Sequence, residues 1–195
     1  MRDDLKYLAV IVDATEVYVQ KPSATKAQKE IFSQYKNHVT AKMIVGVDAN
    51  GVVIFYSKAY SGRTSDKKMF HHCGITQLLK RGDIVMVDRG FEVTKDLEKM
   101  GIKVLIPDFL GKKSQFTSEE LRRSEKIAEV RVHVERAIRK IKEFKILSQG
   151  LFPLNMAPMM DSIWICCAVL SNFTGCGYLV KPKKASDVSS VTAAQ

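Results

Sequence analysis

The first clear pattern in the chain is Leu8 to Val12, an apolar run rich in β-branched residues that stops abruptly at Asp13. Such a run predicts a buried strand that delivers a polar side chain to a sheet edge. Two further runs, Lys42 to Val47 and Val52 to Tyr60, flank Asp48-Ala49-Asn50-Gly51. Asn-Gly between apolar runs predicts an antiparallel hairpin, with Asp48 as a turn residue. Ser61 to Asp66 then supplies turn residues and helix caps ahead of a polar segment. Asp83 to Val87 repeats the opening pattern, a buried strand that closes on Asp88 with Gly90 soon after. Glu92 to Met100, stopped by Gly101, fits a short helix, and Lys103 to Ile106 fits a strand ended by Pro107. Strand, helix, strand in that order implies a right-handed parallel crossover.

Thr117-Ser118-Glu119-Glu120 reads as a capping box, and no Gly or Pro interrupts the helical composition from there to Phe144. Ile127, Val130, Val134, Ile138 and Ile141 make the buried stripe of this helix, which leaves Glu135 at the rim beside Arg131, Arg139 and Lys142. Asn155 to Tyr178 predicts a second helix, apolar almost all round and packed beneath the sheet. Lys181-Pro182-Lys183-Lys184 opens a tail rich in Ser, Ala and Thr, so residues 1–180 are expected to form one domain and 181–195 a flexible basic tail. Hairpin-linked strands, then helix and strand in alternation, with closing helices last, is an α/β order. It is the order of the ribonuclease H-like mixed five-stranded sheet flanked by helices.

The composition agrees with a folded domain: of 195 residues, 46% are hydrophobic and 27% charged, which excludes disordered and collagenous classes. Lys plus Arg exceed Asp plus Glu by 31 to 21, and the net charge of +10 favours polyanion partners such as nucleic acid. Cys73, Cys166, Cys167 and Cys176 show neither zinc-ligand spacing nor a disulfide framework, and read as buried free thiols in a reducing compartment. The N-terminus lacks a signal peptide's apolar core, and the most hydrophobic run, Ile163 to Leu170, is short of a bilayer span. Neither secretion nor a membrane location is expected.

Asp13 and Asp88 close two buried strands, and adjacent strand ends bring two carboxylates within reach of shared hard cations, which take oxygen ligands. Glu135 on the long helix can complete such a cluster. Each acid also has an ordinary reading. Asp13 and Asp88 suit turn hydrogen bonds, Glu135 is spaced to pair with Arg131 and Arg139, and Asp66 suits a helix start. His71-His72-Cys73 lacks a second ligand pair at zinc spacing, and His133 lies on the far side of its helix from Glu135, as a surface residue.

Four blocks decide between these readings: IVDATEVYVQKPS from Ile11, YSGRTSDKKM from Tyr60, GDIVMVDRGF from Gly82 and VRVHVERAIRKIK from Val130. Together they resemble the DDE superfamily endonuclease domain of Harbinger-type transposases over residues 8 to 175. The resemblance puts Asp13, Asp88 and Glu135 on the family's three catalytic acids, with Asp66 in a supporting, possible metal-binding position. It implies DNA cleavage and strand transfer with two divalent cations, Mg²⁺ or Mn²⁺, while the place of Arg131, Arg139 and Lys142 beside Glu135 on the helix suits them as DNA phosphate contacts. It also implies a nuclear location and, as partners, DNA with a homodimer or a separate DNA-binding protein. No recognition helix or zinc finger precedes Asp13, so an N-terminal DNA-binding module is expected to be absent. The alternative is a domesticated, inactive domain that binds DNA or protein.

Overall fold

The structure is a computed structural model that describes residues 7–106 and 118–174. Its strands are β1 (Leu8–Tyr18), β2 (Phe32–Ser33), β3 (His38–Val47), β4 (Val53–Tyr56), β5 (Tyr60–Ser61), β6 (Ile84–Val87) and β7 (Lys103–Leu105). They form one mixed sheet in which the path β2-β3-β1-β6-β7 carries five strands and β4 and β5 both pair with β3. β1 runs antiparallel to β3 and parallel to β6, which is parallel to β7. The expected mixed sheet flanked by helices is therefore present, with α1 (Thr25–Glu30) and the two-residue β2 as elements the sequence pattern did not reveal.

The first strand does not end at Asp13; it continues to Tyr18 because β3 begins at His38 rather than Lys42 and pairs along its whole length, Asp13 with Val45 and Tyr18 with Thr40. What ends near Asp13 is the neighbour β6, whose last pair is Val87 with Val12. The hairpin forms as expected: Asp48 Oδ1 accepts the N–H groups of Asn50 at 2.9 Å and Val52 at 2.8 Å, and Gly51 takes φ 83°. The second run splits into β4 and β5 around Ser57, whose Oγ accepts the Ile44 N–H at 2.8 Å.

Alternation along β1 buries opposite faces. Ile11 and Val17 pack with Ile127, Val134, Ala137 and Ile141 of α5 (Ser118–Glu143), while Val10 and Val12 pack with Met69 and Phe70 of α2 (Asp66–His72) and with Leu97 of α4 (Thr94–Lys99). Ser65 caps α2 by accepting the Lys68 N–H, and the one-turn helices α3 (Ile75–Leu78) and α6 (Lys145–Ser148) follow α2 and α5. Val130 and Ile138 are only partly buried, and Ala137 takes a central place in the stripe because its small side chain lets α5 approach the sheet. His133 is not an open surface residue: a Cβ at Gly51 would meet its Nδ1 at 3.3 Å, so the imidazole packs on the hairpin turn.

The last helix also differs from expectation. Pro158 has no N–H to donate, and Leu154–Met159 forms a 3₁₀ turn; α7 then spans Met160–Ser171. It is not buried all round. Trp164, Cys167 and Ala168 enter the core, whereas Val169, Leu170 and Cys166 are exposed, the last against the expectation of a buried thiol. Leu154–Ser171 together reaches 18 residues at a mean hydropathy of 1.3, long and apolar enough to cross a membrane and longer than the run read from the sequence. It packs on α5 and β4, and residues at the ends of α7 bond to the chain around β4: Asn172 Oδ1 accepts the Val53 N–H at 2.8 Å while its Nδ2 donates to Val53 O at 3.0 Å, and Asp161 Oδ1 accepts the Ala59 N–H at 2.7 Å. Residues Pro107, Thr117, Cys176 and the 181–195 tail lie outside the described residues.

Gly62 has a packing reason for its lack of a side chain. An added Cβ would collide with Thr40 Oγ1 and stand 3.0 Å from the carbonyl oxygens of Ile31 and Thr40. Gly62→Ala should therefore cost about 1–3 kcal/mol through overpacking. Urea unfolding measures it, and an unchanged midpoint would show that the surrounding backbone yields freely.

Candidate active site

β6 ends at Val87 opposite Val12, so the next residues on these parallel neighbours, Asp88 and Asp13, emerge side by side. Both alternate onto the α5 side of the sheet, since Ile11 and Met86, two positions earlier, belong to that core. After Asp88 the chain turns away through a 3₁₀ turn, Arg89–Phe91, with the Phe91 N–H donating to Asp88 O at 3.1 Å. The space so opened is a cleft of about 500 Å³ whose walls include Asp13, Glu16, Lys42, Asp66, Asp88, Arg131 and Lys142.

Asp13 is the electrostatic centre of this cleft. Burial pushes its carboxyl from the ordinary 3.8 up to about 6, and the negative charges of Asp88 and Glu135 push in the same direction. The Ala14 N–H, donated to Oδ1 at 2.8 Å, and the Arg131 guanidinium oppose the rise without cancelling it. Three acids thus share one field, and desolvation of Asp13 favours its protonated form.

Arg131 places a positive charge between two of them. Its Nη1 donates to Asp88 Oδ1 at 3.3 Å and its Nη2 to Glu135 Oε1 at 3.4 Å. With Asp88 43% and Glu135 55% exposed at the side chain, such long pairs contribute about 0–1 kcal/mol. Arg139 does not join them. It meets Glu143 at 3.7 Å one turn further on and is not among the described residues lining the cleft. The expected Glu135 pairing is therefore realised with Arg131.

The opposite wall contains residues that sequence reasoning missed. Lys42 Nζ meets Asp66 Oδ1 at 2.7 Å, which places Asp66 in the cleft as well as at the first turn of α2. Glu16, only 7% exposed, accepts the Thr40 hydroxyl at 2.6 Å, and its backbone carbonyl accepts from Lys142 Nζ at 2.6 Å. Desolvation lowers the Lys142 pKa. The pairing of Glu16 with Lys42 across β1 and β3 was the available signal, legible only if β1 is known to continue beyond Asp13.

The donor chemistry suits a hard divalent cation, since the cleft offers carboxylate oxygens and Arg131 already stands as a positive charge between two of them. The ligand set is not closed: among the described residues, no group of three His, Cys, Asp or Glu side chains is arranged to hold a metal ion. His71 Nε2 and Asp96 Oδ2 meet at 3.1 Å away from the cleft, a hydrogen-bonding contact rather than a zinc site.

The fold is similar to that of piggyBac transposase, solved as a synaptic complex with hairpin DNA, at a TM-score of 0.53 and 9% identity. The similarity covers 84% of this chain and 46% of that one, so this chain spans less than half of the larger protein. The chain belongs to the DDE superfamily endonuclease family, whose model matches residues 12–172. None of the curated proteins matches it.

Between pH 3.8 and about 6 the folded chain, through Asp13, binds more protons than the unfolded chain, so its stability falls as pH rises through that window. In divalent-free buffer the melting temperature of the wild type, relative to Asp13→Asn, should decline across the same interval. A pH-independent difference between the two would remove Asp13 as the source.

Proposed function

We propose that this chain is the catalytic domain of a Harbinger-type transposase, cutting and joining DNA with Asp13, Asp88 and Glu135 as its acidic triad. The observation that carries this reading is the emergence of Asp13 and Asp88 side by side from β1 and β6, with Glu135 of α5 in the same electrostatic field. Asp66 joins as a supporting carboxylate on the opposite wall. Two divalent cations, Mg²⁺ or Mn²⁺, held by these oxygens would activate the attacking water or 3′ hydroxyl and neutralise the leaving oxygen.

The remaining side chains have roles that follow from their charge. Arg131 is held by weak, exposed pairs and can turn from the acids to an incoming phosphate. Lys142, anchored on Glu16 O, presents its ammonium at the cleft wall, while Arg139 lies outside it for the duplex backbone. The +10 charge supports DNA as substrate, as does the DNA in the complex of the similar transposase. A second copy or a separate DNA-binding protein is the partner this reading calls for, and the nucleus its place. A second reading, a domesticated domain without turnover, draws on Arg131 bridging Asp88 and Glu135 where an active enzyme needs a metal.

Manganese calorimetry and manganese-dependent cleavage of supercoiled plasmid separate the two. Asp88→Asn should bind manganese at least ten-fold more weakly than wild type, and equal affinity would exclude Asp88 as a ligand. Glu135→Gln should keep its stability within about 0.5 kcal/mol, because its one ion pair is exposed, while losing cleavage by several orders of magnitude. Cleavage by Glu135→Gln at the wild-type rate would end the three-acid mechanism. No cleavage by the wild type would favour the second reading.

A further inference from the structure

A four-residue turn, Gln34-Tyr35-Lys36-Asn37, joins β2 to β3 at the mouth of the cleft and is closed by the pair Ser33 with His38. Ser33 Oγ accepts the Lys36 N–H at 3.2 Å, and Asn37 takes φ 50°, a left-handed conformation that asparagine tolerates better than most residues. The turn thus sets the backbone from which Tyr35 projects. Tyr35 is 85% exposed, yet it lines the same cleft as Asp13, Asp66 and Asp88. Lys36 Nζ lies 4.7 Å from the centroid of the ring, and its charge is felt by Lys142, which lines the same cleft.

An exposed tyrosine on a turn means little by itself. Here the residue stands on a hydrogen-bonded turn and lines the same cleft as the acids, with one ammonium over its ring and others along the lining. Cations in a groove hold the phosphates of paired and unpaired strands alike. An open aromatic face adds something only for a base that has left the helical stack, because a base inside a duplex is already stacked on its neighbours.

We propose that Tyr35 and Lys36 form a stacking subsite for one unpaired nucleobase next to the phosphate that enters the acidic cleft. The proposal rests on the DNA-processing reading given above and adds a preference to it, for substrate that is locally unpaired at the cleavage position. The ring takes the π-face of the base, so any base serves, and Lys36 faces the flanking phosphate.

The test uses the full chain in divalent-free buffer with two probes of one sequence, a hairpin carrying an unpaired 2-aminopurine and the fully paired duplex. Wild type should quench the fluorescence of the unpaired probe and bind it several-fold more tightly than the duplex. Tyr35→Phe should retain both properties, since it keeps the ring. Tyr35→Ala should lose the quenching and bind the unpaired probe about ten-fold more weakly, with duplex affinity unchanged and an unaltered melting temperature. Wild-type binding to both probes without quenching or preference, or quenching that survives in Tyr35→Ala, overturns the subsite and leaves DNA binding intact. Failure of the wild type to bind either probe overturns the DNA reading, and the subsite with it.

Discussion

The arrangement of the site depends on where one ladder of hydrogen bonds stops. β1 is paired on both edges, antiparallel to β3 up to Tyr18 but parallel to β6 only as far as Val12 and Val87. A strand with both edges satisfied and both faces packed is rigid, because each displacement breaks backbone hydrogen bonds that have no water to replace them. Beyond Val87 that partner is gone, and the sheet presents Asp13 from a strand that is still held by β3 and Asp88 from one that has just ended. The carboxylates are therefore placed by the core, and the turn after Asp88 only has to leave.

Magnitudes decide which electrostatic effect governs the cleft. The two Arg131 contacts are long and exposed, and pairs of that kind contribute about 0–1 kcal/mol. The rise of Asp13 to about 6 is a displacement of roughly two pKa units, each equivalent to about 1.4 kcal/mol of preference for the protonated form. Burial is the first cause of that rise, and Arg131 does not offset it. Asp13 therefore keeps its proton mainly because it is desolvated, and a divalent cation with several oxygen ligands would favour its ionised form more than the Arg131 guanidinium does.

Much of this was legible in the sequence because it rests on local signals. Asn50-Gly51 fixed the hairpin, Gly101 and the apolar runs marked β6, α4 and β7, and the acids after Val12 and Val87 stood out as polar stops. What the sequence hid was non-local. A strand that carries Asp13 and Glu16 inside it reads as ending at the first acid, because neither shows from its neighbours that a lysine, a threonine or a sheet end awaits it. Glu135 had two plausible arginine partners at equal spacing, and only the tertiary position of Asp88 draws Arg131 toward the cleft, whereas Arg139 meets Glu143. Tyr35 lies in a turn with no periodic pattern and acquires meaning only from the wall it faces.

The segment from Tyr60 to Asp66 shows how a recognisable block of residues can act through placement. Gly62 donates its N–H to Thr40 O at 3.0 Å and leaves room for the Thr40 hydroxyl, which donates to Glu16. Two residues along β3, Lys42 Nζ approaches Thr64 O at 3.4 Å and binds Asp66 at 2.7 Å. The loop is thereby tied at two points to β3, and through Glu16 to β1, the strand that carries Asp13. Because Thr40 and Glu16 are almost wholly buried, their hydrogen bond is shielded from water, and breaking it would leave a buried carboxylate oxygen unsatisfied. Asp66 is therefore set in place relative to Asp13 by neighbouring residues of one sheet, which makes its position in the cleft a property of the fold instead of the loop's own conformation.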